Sequence, residues 1–340
     1  MAVTLSDVAR RAGVSLATAS RVLSRSSYGV KADLRDRVLT AAEELRYVPN
    51  AHAQALVRAS TSTVGVLVHD VSDPYFSEVT RGIQRVASAA GRLVMVCNSY
   101  RDPVRELEYV SLLRAQRVQA IVLAGSGLDD RRYSQQLAAQ LNEFVDSGGR
   151  IAFVGRHHLT GDAVIPDNVG GARALGRMLV GMKHRHIGVV AGPTLLTTTR
   201  DRLDGFQSAL IEAGIALPPE HIMYTDFSRE GGYQATRHLI ERVPHITAIF
   251  ALNDMVAIGT LAALRERGIV VPDQISVVGF DDIPFARDLT PALTTVRVPM
   301  AEMGARAMTL ALNGDGAELK VEHLPTELIL RASAVPLRAE

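Results

Sequence analysis

Cysteine occurs once in these 340 residues, at Cys97, which excludes an intrachain disulfide and any metal site built from several thiolates. Its place in the apolar run LVMVC predicts a buried strand position. No stretch of 18 apolar residues exists, and the N-terminus lacks the basic-then-apolar pattern of a secretion signal, so a cytoplasmic protein with no membrane partner is expected. GSG at 125–127 has no third glycine at the spacing a dinucleotide fingerprint requires. His157-His158, His184 with His186, and Asp129-Asp130 come with neither a nucleophile nor a complete ligand set. They read as solvated surface, and no enzyme chemistry, metal or cofactor is expected. Charge of one sign is also scarce, with a net of +1 at pH 7. That balance hides an asymmetry: residues 1–60 hold nine Arg or Lys against five acids, and the remainder carries −3. A basic head on a mildly acidic body is the layout expected when only the head meets phosphates.

What is present is a soluble, globular composition, 47% hydrophobic and 21% charged, in a chain long enough for two or three domains. Residues 4–23, TLSDVARRAGVSLATASRVL, carry the spacing of a helix-turn-helix. Two short helices cross closely only at a small side chain, the turn wants a residue tolerant of positive φ, and the second helix needs a cap; Ala9, Gly13 and Ser15 meet these demands in turn. Leu5, Val8, Ala12, Val14, Ala19, Val22 and Leu23 supply the apolar contacts. Leu16, Ala17, Thr18, Ser20 and Arg21 are left as an exposed face suited to the major groove. A third amphipathic helix follows, with Leu34, Val38, Ala41, Ala42 and Leu45 on one stripe. Pro49 stops it and Asn50 can cap a new one, but AHAQALVR has too few apolar residues to fold in isolation.

From residue 63 short β-branched runs alternate with helices, the signature of buried parallel strands. TVGVLV, RLVMVC, QAIVLA and RIAFVG form a first series. AVIPD, near residue 163, opens a second that continues with HIGVVAGP, HIMYTD, TAIFAL and ISVVGF. The tail adds a strand, a helix and a final strand that complete the two halves, so the chain crosses between them more than once. The expected organisation is a DNA-binding head at 1–46, a hinge at 47–60 and a core at 61–340, its first subdomain about 61–162 plus 294–322 and its second about 163–293 plus 323–340.

With head, hinge and twin core in place, the chain resembles the LacI/GalR family of bacterial transcription regulators along essentially its full length. The resemblance rests on TLSDVARRAGVS with TASRVL, YVPN with Leu56, VSDPYF, PDNVGGA, RLDGF, ALNDMVAIG, ISVVGFDD and LTTVRVPMAEMG, in that order. It implies an α/β protein with an N-terminal helix-turn-helix, a hinge, and a two-subdomain core with parallel sheets like that of periplasmic binding proteins. It further implies a homodimer on a pseudo-palindromic DNA operator, acting as a repressor under a small-molecule effector held between the subdomains. Three departures stand out: Ser24 replaces an asparagine, Gln54 a frequent hinge arginine, and Lys183 a glycine before His184-Arg185, where a helix end needing positive φ would be strained. No leucine-heptad tail follows residue 330, which argues against a tetramer.

By the same resemblance, Leu16, Ala17 and Arg21 face base edges. Arg21 either reads a guanine through O6 and N7 or touches a phosphate. Thr4, Ser15, Thr18, Ser20 and Tyr47 are phosphate contacts, and Asn50, His52, Ala53 and Leu56 are hinge contacts, Leu56 either a minor-groove wedge or a small-core residue. The effector wall would comprise Asp70, Tyr75, Phe76 and Arg156 from the first half, and Arg202, Phe227, Asn253 and Asp281 from the second. Phe227 is equally compatible with ordinary core, and Asp282 with a structural acid. Acids, an arginine and an asparagine pair with neighbouring hydroxyls while aromatic faces cover a sugar ring, so a carbohydrate effector is expected. Tyr75 and Phe76 would also stack a nucleobase, which leaves a corepressed, nucleobase-responsive regulator open. A transport binding protein would share the core, but the DNA-binding head counts against it.

Overall fold

A computed structural model describes residues 3–23, 30–48, 62–313 and 318–337. The chain forms two compact units, Met1–Ser62 with Ala115–Gln119, and Thr63–Arg114 with Ala120–Glu340.

Caps and one left-handed turn fix the first unit. Thr4 and Asp7 form a capping box at the start of α1 (Leu5–Ala12): Asp7 N–H donates to Thr4 Oγ1 at 3.3 Å, and Thr4 N–H to Asp7 Oδ2 at 3.0 Å. Gly13 ends α1 at φ 63°, and Ser15 Oγ accepts from Thr18 N–H at 3.1 Å to start α2 (Leu16–Leu23). Val8, Ala9, Ala12 and Ala19 then close a small core with Val38, Ala41 and Ala42 of α3 (Ala32–Glu44), against which Leu5, Val14, Val22, Leu23, Leu45 and Tyr47 pack. Leu34, expected on that stripe, is half-buried.

The second unit contains two parallel sheets. The first has six strands, β1 (Thr63–Val68), β2 (Leu93–Asn98), β3 (Ala120–Ala124), β4 (Arg150–Val154), β5 (Asp162–Pro166) and β11 (Val321–Leu324), in the order β11-β5-β4-β3-β1-β2. Helices α4 (Pro74–Ala89), α5 (Pro103–Ala115) and α6 (Arg131–Asp146) alternate with its early strands. The second is β7-β6-β8-β9, from β6 (Ile187–Ala191), β7 (Ile222–Tyr224), β8 (Ala248–Ala251) and β9 (Ser276–Val278). Its helices are α7 (Asn168–Gly181), α8 (Thr197–Glu212), α9 (Arg229–Arg242) and α10 (Asp254–Glu266), while α11 (Met300–Asn313) packs on α4 of the first half.

Four expectations need correction. AVIPD does not open the second series: β5 pairs in parallel with β4, so the first crossing follows Pro166. A β-branched run carries no mark of which sheet it will join. Nor does the segment from 294 belong to the first half at its outset. Asp281 N–H donates to Val296 O at 2.8 Å, and β10 (Thr295–Arg297) pairs antiparallel with β12 (Glu327–Ile329), so the chain re-enters the first half only at α11. Cys97 is half-buried rather than buried, because β2 is the sheet edge. His184 is not solvated: its ring nitrogens meet Thr247 Oγ1 at 2.9 Å and Val335 O at 3.0 Å, as in a satisfied core histidine.

Lys183 does occupy the left-handed region, at φ 68°. Lys183 N–H reaches Val180 O at 2.9 Å and His184 N–H reaches Leu179 O at 3.1 Å, the double bond of a Schellman end, closed here without glycine. Elsewhere glycine is sterically obligatory. A Cβ at Gly82 of α4 would stand 1.9 Å from Ala301 O of α11, and one at Gly304 of α11 would stand 2.0 Å from Val79 O. The reciprocal approach recurs between α9 and α10 at Gly232 and Gly259.

Candidate functional site

On the head, Leu16, Ala17 and Arg21 face solvent, with Leu16 51% exposed, and Thr18 and Ser20 are half-buried. The Thr4 hydroxyl donates to Asp7 at 2.7 Å and the Ser15 and Thr18 hydroxyls lie 2.9 Å apart, so these phosphate candidates stand at exposed helix starts already oriented by caps. Tyr47 packs its ring on the head's core. Asn50, His52, Ala53 and Leu56 lie outside the described residues.

In the second unit a cleft opens at the carboxyl ends of the strands of both halves, where ligands bind in open α/β sheets. Its second-half wall is a connected polar set. Arg202 of α8, 3% exposed, donates from Nη2 to Asp281 at 2.7 Å, from Nε to Asn168 at 3.0 Å and from Nη1 to Leu252 O at 2.5 Å, and lies 3.8 Å above the Phe280 ring. Every nitrogen of this guanidinium is used. Burial raises the Asp281 carboxyl to about 7 against the pull of Arg202. Asn253 caps α10 through Val256 N–H at 2.8 Å and donates to Phe227 O at 3.2 Å. That bond pins Phe227 at φ 68°, so the ring both lines the cleft and packs over Gly192, where a Cβ would stand 2.2 Å away. Behind Asp281, the buried Asp254 accepts from Thr295 Oγ1 at 2.6 Å and Ile283 N–H at 2.9 Å; burial pushes its carboxyl well up.

From the first half come Tyr75 and Phe76 at the start of α4, edge to face at 5.0 Å, with burial raising the Tyr75 hydroxyl pKa. Two expected residues do not line the cleft. Asp70 turns its carboxylate onto Ser72, accepting from the backbone N–H at 2.9 Å and the hydroxyl at 2.7 Å. Arg156 is committed to Asp201, Nε to Oδ2 at 3.0 Å. It belongs to a seam between the halves where Ser126 bonds Thr198 at 2.6 Å, Asp129 N–H bonds Leu195 O at 2.8 Å, and Arg200 pairs with Asp129. Asp282, by contrast, is structural as expected, bridging Arg331 at 2.6 Å and Arg297 at 2.8 Å.

Sequence reasoning missed Asp73, His69 and Arg101, all on the cleft lining. Asp73 could have been found, because an acid before proline is a helix start signal; it caps α4 through Tyr75 N–H at 3.0 Å. His69 is buried and held neutral, its pKa driven down to about 3 by burial with the Arg101 charge adding. Arg101 has no sequence signal, because it reaches the cleft only through two successive left-handed residues, Tyr100 at φ 52° and Arg101 at φ 60°. With Phe227, Asp281 at φ 119° and Asp282 at φ 56°, backbone strain of roughly 1 to 3 kcal/mol per residue is concentrated around this cleft.

Residues 4–50 match the bacterial regulatory proteins of the lacI family, and residues 177–334 match the periplasmic binding protein-like domain. The HTH-type transcriptional regulator GalS of Salmonella typhimurium is 39% identical over 322 residues, 94% of this chain and 92% of GalS. The lac repressor dimer bound to operator and the anti-inducer ONPF is similar at TM-score 0.84 and 28% identity, over 98% of this chain and 99% of that one. A transcriptional regulator CelR–cellobiose complex is similar at TM-score 0.72 and 29% identity, over 97% and 99% of the two chains. Among the described residues, no helix is long and apolar enough to cross a membrane.

Proposed function

The chain belongs to the LacI family of bacterial regulatory proteins, and on that premise we propose that this DNA-binding regulator is a cytoplasmic repressor whose operator affinity is set by a carbohydrate held in the core cleft. The observation that carries the reading is the buried Arg202–Asp281 pair beside Phe227. Arg202 spends its donors on protein, which fixes Asp281 and leaves that carboxylate's second oxygen to accept from a hydroxyl, while the Phe227 face covers apolar ring carbons. The cellobiose complex of a structural neighbour agrees with that chemistry. A homodimer on a pseudo-palindromic operator follows from the family. The open β2 edge, where Leu93, Met95 and Val96 are exposed, supplies an apolar strip of the kind a partner covers. On the head, Leu16, Ala17 and Arg21 read the major groove, and the hinge residues Asn50, His52, Ala53 and Leu56 contact the minor groove.

Thermal melts against monosaccharides, disaccharides and purines test the effector class. A ligand at about 100 times its dissociation constant raises stability by roughly 2.7 kcal/mol. Asp281→Asn, which keeps an acceptor for Arg202, is expected to fold and bind operator but lose most of the shift. A full shift in the variant would overturn the cleft assignment. A response to purines alone would favour the corepressed reading, in which Tyr75 and Phe76 stack a base.

A further inference from the structure

Arg202 and Arg101 line the same cleft in opposite conditions. The first donates to three protein acceptors. The second donates no hydrogen bond and forms no ion pair among the described residues, and its Nε is buried without a partner. Its guanidinium is held only at 5.8 Å from the Phe227 ring across the cleft.

The acids around it are occupied elsewhere. Asp73 caps α4, Asp70 binds Ser72, and Asp226 accepts from Ser228 N–H at 3.0 Å. The backbone, meanwhile, is bent to bring Arg101 to this position. Tyr100 and Arg101 are both left-handed, and the turn is clamped by Tyr100 N–H to His69 O at 2.7 Å and Asp102 N–H to Ser99 O at 3.0 Å. Strain that the surroundings enforce, ending in an unsatisfied cation inside a cleft, marks a ligand contact.

Given the effector reading above, on which this rests, we propose that the effector is an acidic sugar derivative, whose carboxylate or phosphate is bound by Arg101. The remaining donors of the cleft support this choice. Arg202 has each of its three nitrogens on a protein acceptor and Asn253 caps α10 and donates to Phe227 O, which leaves Arg101 as the lining cation whose nitrogens meet no protein acceptor among the described residues. Sugar hydroxyls are single, divergent groups that can donate to the remaining carboxylate oxygens of Asp73 and Asp281. A guanidinium fork is matched by two coplanar oxygens of an oxyanion, a close partner that Asp73, Asp226 and Asp70, which act on the Arg101 charge without an ion pair or hydrogen bond to it, do not supply.

Calorimetric titration of the full-length protein with matched sets tests it: glucose, gluconate and glucose 6-phosphate, then galactose, galactonate and galactose 6-phosphate. In the responding set, an acidic member is expected to bind on the order of 10- to 100-fold more tightly than its neutral parent. Which acid binds identifies the oxyanion. Arg101→Gln should abolish that preference while leaving weak binding of the parent and full operator binding, and Arg101→Lys should restore it in part. A neutral parent that binds as tightly as its acids, or an Arg101→Gln variant that weakens parent and acid alike, would overturn the proposal and leave the sugar reading standing. Binding of adenine or guanine with none of the sugars would overturn both.

Discussion

Asp281 carries two opposed demands, since Arg202 wants it ionised and burial wants it neutral. Its folded pKa of about 7 against an ordinary 3.8 means that the folded protein holds a proton there over a range where the unfolded chain has released it. Stability from this group is therefore full below about pH 4 and is lost as pH rises through 7. Urea unfolding at pH 5 and pH 8 should show wild type losing about 1 to 3 kcal/mol more than Asp281→Asn over that interval. Glu106, also raised to about 7 by burial, is common to both proteins and cancels in the difference. Equal pH slopes would mean that Arg202 keeps Asp281 ionised throughout. At this scale the sequence was informative where a motif fixes an element end. Asn253, Phe227 and Asp281 reach the cleft from or just beyond such ends and Arg202 from the second turn of α8, whereas Arg101 arrives by a pair of left-handed residues that no composition or spacing announces.

Helices in the core meet through glycine, and the contact is unforgiving because the obstacle is backbone rather than a side chain that could rotate. Gly82→Ala is expected to destabilise the core by about 1 to 3 kcal/mol, read from denaturant midpoints, since α11 would have to shift away from α4. Gly181→Ala, where a Cβ meets nothing within 4 Å, serves as the control and should be neutral or slightly stabilising. Most elements were legible because period and caps agree: Thr4, Ser15 and Gly13 declare the head, and the β-branched runs declare the sheets. Sheet membership was not legible for β5 and β10. It is decided by pairing partners distant in sequence, β4 for the one and β12 for the other.

The two halves of the core face each other across the cleft and are latched along the seam by Ser126 and Thr198, whose hydroxyl oxygens lie 2.6 Å apart. With only Cys97 otherwise present, Ser126→Cys with Thr198→Cys gives a clean test of whether opening is needed for effector entry. The oxidised protein should take up ligand far more slowly than the reduced one, by stopped flow, and unchanged rates would mean that entry does not need this seam to part. The chain passes between halves three times, after Pro166, after Val298 and after Leu324. These passes are tied edge to edge, Asp167 N–H to Leu324 O at 2.9 Å and β10 to β12 by their ladder. Such a ribbon is a flexure in the engineer's sense, compliant when bent about the line across its three segments and stiff against torsion or sliding. Effector binding then has one coordinate to act on, so ligands of different size would set how far that coordinate travels, and the response at the DNA could be graded by ligand geometry rather than merely switched.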